Sequence, residues 1–227
     1  MNITNKKRFN GLFLVVLCSL SFAGFGQKQS DAVAWLSLKI DKKITNRFSL
    51  GIMNQTTLNQ NFSEIGASYL DFGIDYKLSK HFTIGGNYRV TQSRNLQNQY
   101  QFSQRFYTDI SFSKGFKKFV FQFRSRFQFQ YYGIDLSDNF RSMRSFNRNR
   151  ISIKYTINRV ISPYIFLEQF YRLNNLYRTE AFRGGLGLSY KFNLQHKLDF
   201  YFVNQRQVNR KNPRMDYIYG IMYSFKF

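Results

Sequence analysis

The chain has 227 residues and a formal net charge of +22, with 19% aromatic side chains but one Trp, two Pro and one Cys. That length holds one domain or one barrel, and a single cysteine excludes a disulfide framework. The mean hydropathy of −0.42 marks no membrane protein on a hydropathy scan, yet it does not exclude one built of alternating strands, whose apolar and polar residues average out in any window.

The first 26 residues read as a cleaved signal peptide, and the fold is expected over residues 27–227. Lys6, Lys7 and Arg8 precede a short apolar core from Leu12 to Phe22, too short to span a bilayer as a helix. Cleavage after Gly26 or after Ala23 fits the small residues there. Cys18 lies inside this core behind Leu17, not behind the small residue that lipidation needs, so the exported part carries no cysteine. Removing the three basic residues leaves a charge of +19. In a cytosolic protein that balance points to nucleic acid. Here the cations are spread along many segments, and an exported chain meets the phosphorylated headgroups of outer-membrane lipid and lipopolysaccharide instead.

Beyond residue 30 the chain alternates with period two, which puts apolar residues on one face of a strand and polar ones on the other. Val33 to Ile40 sets Leu36, Leu38 and Ile40 against Trp35, Ser37 and Lys39. Arg47 to Leu58 sets Phe48, Leu50 and Ile52 against Arg47, Ser49 and Gly51, and Ile65 to Leu78 sets Leu70, Phe72 and Ile74 against Asp71, Gly73 and Asp75. Phe82, Ile84 and Tyr88 oppose Thr83, Gly85, Asn87 and Arg89; Phe102, Phe106 and Ile110 oppose Arg105, Tyr107 and Asp109.

The clearest stretch is Phe119 to Tyr132, where Phe119, Phe121, Phe123, Phe127, Phe129 and Tyr131 share one parity and Gln122, Arg124, Arg126 and Gln128 the other. Ile151, Ile153 and Tyr155 then oppose Arg148, Arg150 and Lys154. In Pro163 to Leu173, Ile165, Leu167 and Tyr171 face away from Glu168 and Arg172, while Tyr164, Phe166 and Phe170 point with the polar set. Phe182, Leu186 and Leu188 oppose Arg183, Gly185, Gly187 and Lys191; Leu198, Phe200 and Phe202 oppose Asp199, Tyr201 and Gln205. Tyr217, Tyr219, Ile221, Tyr223, Phe225 and Phe227 end the chain.

This pattern predicts an all-β, up-and-down antiparallel transmembrane barrel, with the aromatic parity (Phe119 to Tyr131, then Tyr223, Phe225 and Phe227) against lipid. Its lumen would be lined by Arg47, Arg89, Arg105, Arg124, Arg126, Arg148, Arg150, Lys154, Arg172 and Arg183, partly balanced by Asp71, Asp75, Asp109, Glu168 and Asp199. Connectors alternate between short and long, as periplasmic turns and outer loops do, and the longer ones carry Arg141, Arg144 and Arg178. About eleven strands are visible, whereas single-chain bacterial barrels have even numbers. The expectation is ten to twelve with twelve favoured, residues 33–40 being left to enter the lumen or cap an edge. Inward glycines such as Gly51, Gly73, Gly85, Gly185, Gly187 and Gly220 would leave room for long arginines or water.

The segments AWLSLKIDKKITNRFSL, RFYTDISFSKGF, RNRISIKYTINRVISPYIFLEQFYRLNN, FRGGLGLSYKF and NPRMDYIYGIMYSFKF together resemble family 2490 of the domains of unknown function, outer-membrane barrels of Bacteroidota. The resemblance covers roughly residues 32–227 and implies architecture and location; the family brings no catalytic residues with it. The closing YSFKF resembles the C-terminal signal read by the barrel assembly machinery, an implied partner during biogenesis.

No cofactor is expected, and two histidines without an exported cysteine argue against a transition-metal site. Three functional readings follow. A filled, structural lumen makes a non-enzymatic barrel. An excess of inward cations makes a small anion-selective channel. An outer-membrane acyl hydrolase needs a His beside a Ser, and His81 and His196 fall in connectors on the wrong side of the membrane.

Overall fold

The computed structural model describes residues 30–94, 99–132, 143–174 and 176–227. The segment read as a signal peptide, with Cys18, lies outside the described residues, as does Arg141. Eleven strands follow in chain order: β1 (Ser30–Lys43), β2 (Phe48–Asn59), β3 (Glu64–Lys77), β4 (Phe82–Arg94), β5 (Tyr100–Phe116), β6 (Phe119–Tyr132), β7 (Arg144–Tyr155), β8 (Ile161–Arg172), β9 (Thr179–Lys191), β10 (His196–Gln207) and β11 (Met215–Lys226). They form a closed barrel in which each strand pairs antiparallel with its successor and β1 pairs parallel with β11. The expectation of twelve strands is therefore corrected to eleven. Residues 33–40 neither enter the lumen nor cap an edge; they belong to a wall strand.

The odd count closes for a simple reason. In an up-and-down chain the first and eleventh strands run the same way, and a parallel ladder still pairs both edges. That ladder runs unbroken from Ser30 opposite Met215 to Asp41 opposite Lys226. Near its start Asp31 lies opposite Asp216, a like-charge pair that Arg214 clamps with contacts of 2.8 and 2.6 Å. The N-terminal end of β1 consequently lies at the long-loop end of the barrel, and Phe227 at the short-turn end.

Four of the five short turns share one device. Thr45, Ser79, Asn158 and Asn193 each accept hydrogen bonds from the backbone N–H groups two and three residues on, at 2.6–3.2 Å. A short side-chain acceptor thus stands in for a backbone carbonyl and closes the turn. The fifth, between β5 and β6, instead places Lys117 at φ 51°.

Outward positions carry exposed apolar side chains all round the wall, among them Leu38, Ile52, Phe72, Ile84, Phe106, Phe123, Ile165, Leu186, Phe200 and Ile221. Phe119, Phe121, Phe127, Phe129 and Phe227 are exposed with them, while Tyr131, Tyr223 and Phe225 are half-buried. The core is inside the barrel. Val33, Phe166, Val203 and Ile218 form a buried cluster there, flanked by Trp35, Tyr164 and Tyr201.

The inward glycines are occupied differently from expectation. A Cβ on Gly185 would meet the Phe166 ring at 2.6 Å, and one on Gly51 would meet Asp41 Oδ1 at 2.8 Å. Gly187 and Gly220 lie under the rings of Tyr164 and Tyr201, and Gly85 under Asp75. Each of these side chains lies flat on its cross-strand neighbour, so rings and carboxylates, not arginines, fill the space.

Candidate functional site in the lumen

Inward parity delivers charge to the barrel axis at mid-height, and Glu168 on β8 is the centre of it. Its side chain has no exposure. Arg124 Nη2 on β6 and Arg148 Nη2 on β7 reach Glu168 Oε1 at 2.8 and 2.9 Å, and Arg183 Nη1 on β9 lies 3.5 Å from Oε2. Arg148 also donates to Gln128 Oε1 at 3.2 Å and lies over the Phe170 ring, 4.3 Å from its centroid. Oε1 thus takes the charge-assisted hydrogen bonds, while Oε2 is buried with Arg183 at ion-pair distance and no hydrogen bond of its own among the described residues.

A second cluster lies across the lumen on β3 to β6. Arg126 holds Asp109 with two bonds of 2.7 Å and stacks on Tyr107 at 3.8 Å. Asp71 accepts from Arg89 and from the Tyr107 hydroxyl, and Arg89 stacks on Tyr69 at 3.6 Å. Arg105 donates to Gln130 at 2.8 Å. Tyr107, Arg126, Gln128, Arg148, Phe166 and Glu168 are all buried, so both clusters and the apolar one pack side chains into the lumen at this level.

The remaining candidates lie toward the ends. Arg172 pairs with Glu180 at 2.9 Å on the long-loop side. Asp199 pairs with Lys197 at 2.7 Å on the short-turn side, and Lys154 lies 3.5 Å from Ser189. Arg150 stacks on Phe166 at 3.7 Å, and Asp75 is exposed; neither has a carboxylate or cation within ion-pair distance among the described residues. Arg47 is a correction: it lies exposed in the turn between β1 and β2, not on the lumen wall, because the Thr45 turn extends through it. Glu180 was not legible in the sequence. Between Phe170 and Tyr171 the β8–β9 register shifts, which turns Glu180 inward against Arg172 and, at 3.4 Å, Arg210.

Below these clusters, toward the short turns, lies a cavity of about 380 Å³. An adjoining lobe of about 270 Å³ shares Arg150, Tyr164 and Met222 with it. The histidines stand outside both. His81 Nδ1 bonds the Ser113 carbonyl at 2.9 Å, and His196 bonds the Tyr223 hydroxyl.

These features define a class: a closed, odd-stranded β-barrel with an apolar exterior and salt-bridged side chains in its lumen. The family model described as "Protein of unknown function (DUF2490)" matches residues 32–216, and the chain belongs to that family. No curated protein matches it. Among solved structures, a NanC porin in a rhombohedral crystal form is similar over 77% of this chain and 86% of its own, with 14% identity and a TM-score of 0.47.

Proposed function

We propose that the protein is a non-enzymatic outer-membrane barrel, exported by a signal peptide over residues 1–26, whose lumen is closed at rest. Outward apolar residues suit contact with lipid, and short turns on one end with longer loops on the other suit a periplasmic and an outer face. Lipid and lipopolysaccharide are then its surroundings, and the assembly machinery its partner during insertion. The observation that carries the closed-lumen reading is the Glu168 cluster, whose carboxylate is shut off from both ends.

The test is single-channel recording of refolded protein in a planar bilayer under a salt gradient. The unaltered barrel is expected to pass no steady current, while Glu168→Ala together with Arg148→Ala opens an anion-preferring one. Steady current through the unaltered barrel would sink this reading. It would favour the second, a small anion-selective channel, to which the unpaired Arg150 lends support. An acyl hydrolase is the weaker alternative, since His81 and His196 engage a carbonyl and a tyrosine, not a serine hydroxyl.

A further inference from the structure

The cavity under the Glu168 cluster has charge sorted by wall. On the side built by β1, β3 and β5, Asp41 is taken by Lys39 at 2.9 Å and Asp109 by Arg126 at 2.7 Å. Asp75 is left, exposed to the cavity and lying over Gly85 beside the Asn87 amide, with no cation within ion-pair distance among the described residues. On the side built by β7 to β10, Asp199 is taken by Lys197. Arg150 is left on both lobes and Lys154 on the smaller one. Arg150 is held flat by Phe166, so its donors are fixed in place without being consumed. The larger lobe has room for roughly a dozen waters at about 30 Å³ each.

We propose that this vestibule binds a small dipolar solute, its carboxylate or phosphate on Arg150 and Lys154 and its ammonium on Asp75. A purely anionic solute would meet Arg150 but also the bare Asp75 carboxylate, and a purely cationic one would meet the reverse. Opposed charges of one ligand satisfy both walls, and like-charge juxtaposition rejects the alternatives. The site deepens the closed-lumen reading, since a stopped vestibule retains a solute that an open channel would pass.

The test uses the full barrel refolded in detergent and isothermal titration with β-alanine, 4-aminobutyrate and 6-aminohexanoate, against glutarate and cadaverine as single-sign controls. At least one amino acid is expected to bind with one-to-one stoichiometry, tenfold or more tighter than either control. Asp75→Asn should remove that advantage and leave glutarate unaffected or tighter; Arg150→Gln should weaken amino acid and glutarate alike. Asp75 is exposed, so its replacement keeps the fold and the comparison. The proposal is overturned if no amino acid outbinds glutarate, or if Asp75→Asn leaves the binding as it was, which would make this a plain anion site. Conductance is read separately: current through the unaltered barrel would sink the closed lumen while leaving the binding result standing.

Discussion

Glu168 shows how one residue can set the state of a lumen. Three arginines from three different strands converge on it, and without it Arg148, the most buried of them, would keep only Gln128 as a partner and no counter-charge. Removing one partner of a buried pair costs more than the pair contributes, because the other charge stays desolvated. Glu168→Gln is therefore expected to destabilise the barrel by about 3–5 kcal/mol, read from urea unfolding in vesicles. Glu64→Gln supplies the contrast. Its 2.7 Å pair with Arg94 is about 30% exposed on both sides, and the loss should stay under about 1 kcal/mol. Equal losses at both sites would mean that the cluster is solvated and the lumen is not stopped there.

At the scale of the strand, the period-two rule carried most of the fold. It marked all eleven strand segments, though it favoured twelve strands and left residues 33–40 out of the wall, and it separated inward from outward residues because one register slip would move a whole strand's apolar set to the other face. It failed where the backbone departs from the pleat: Arg47 in a turn and Glu180 at a bulge. It was also silent on partners, since Arg124 reaches past β7 to Glu168 and a strand pattern contains no information on contacts across two strands. Closure was the other blind spot, because nothing in β1 marks its neighbour as parallel. A short bifunctional maleimide should link Ser37→Cys to Met222→Cys, partners across the β1–β11 seam, and shift the band on a denaturing gel. No link in the folded barrel would reject the odd-stranded closure. Depth is testable on β6: Phe123→Arg should cost about 2–4 kcal/mol in vesicles and Phe119→Arg, beside the turn, about 0–1 kcal/mol.

Over the whole molecule, exposed cations collect at both rims, most densely at the short-turn one. Among the described residues at the long-loop end, Arg94, Arg172, Arg210 and Arg214 pair with Glu64, Glu180, Asp31 and Asp216, while Arg144, Arg178, Arg206 and Lys211 are exposed with no carboxylate within ion-pair distance. At the short-turn end Lys42, Lys43, Arg47, Lys80, Lys114, Lys117, Lys118, Arg159 and Lys226 are exposed and have no carboxylate within ion-pair distance. Several of these cations sit beside rings, with Lys42 5.3 Å from the Phe227 centroid and Lys117 5.7 Å from that of Phe116, where an aromatic belt meets a collar of ammonium groups. In the orientation proposed above, this collar meets the phosphates of the inner leaflet of the outer membrane. Each such cation near an anionic surface contributes on the order of 1 kcal/mol, and the attraction is screened within a Debye length. The barrel should accordingly unfold at higher urea in vesicles containing phosphatidylglycerol than in phosphatidylcholine alone. Lys117→Gln with Lys118→Gln should remove about 2 kcal/mol of that gain, and raising the salt from 0.1 to 1 M should remove most of the rest. A gain that survives both changes would have to come from bilayer packing, and the collar would then be no more than a solvated rim.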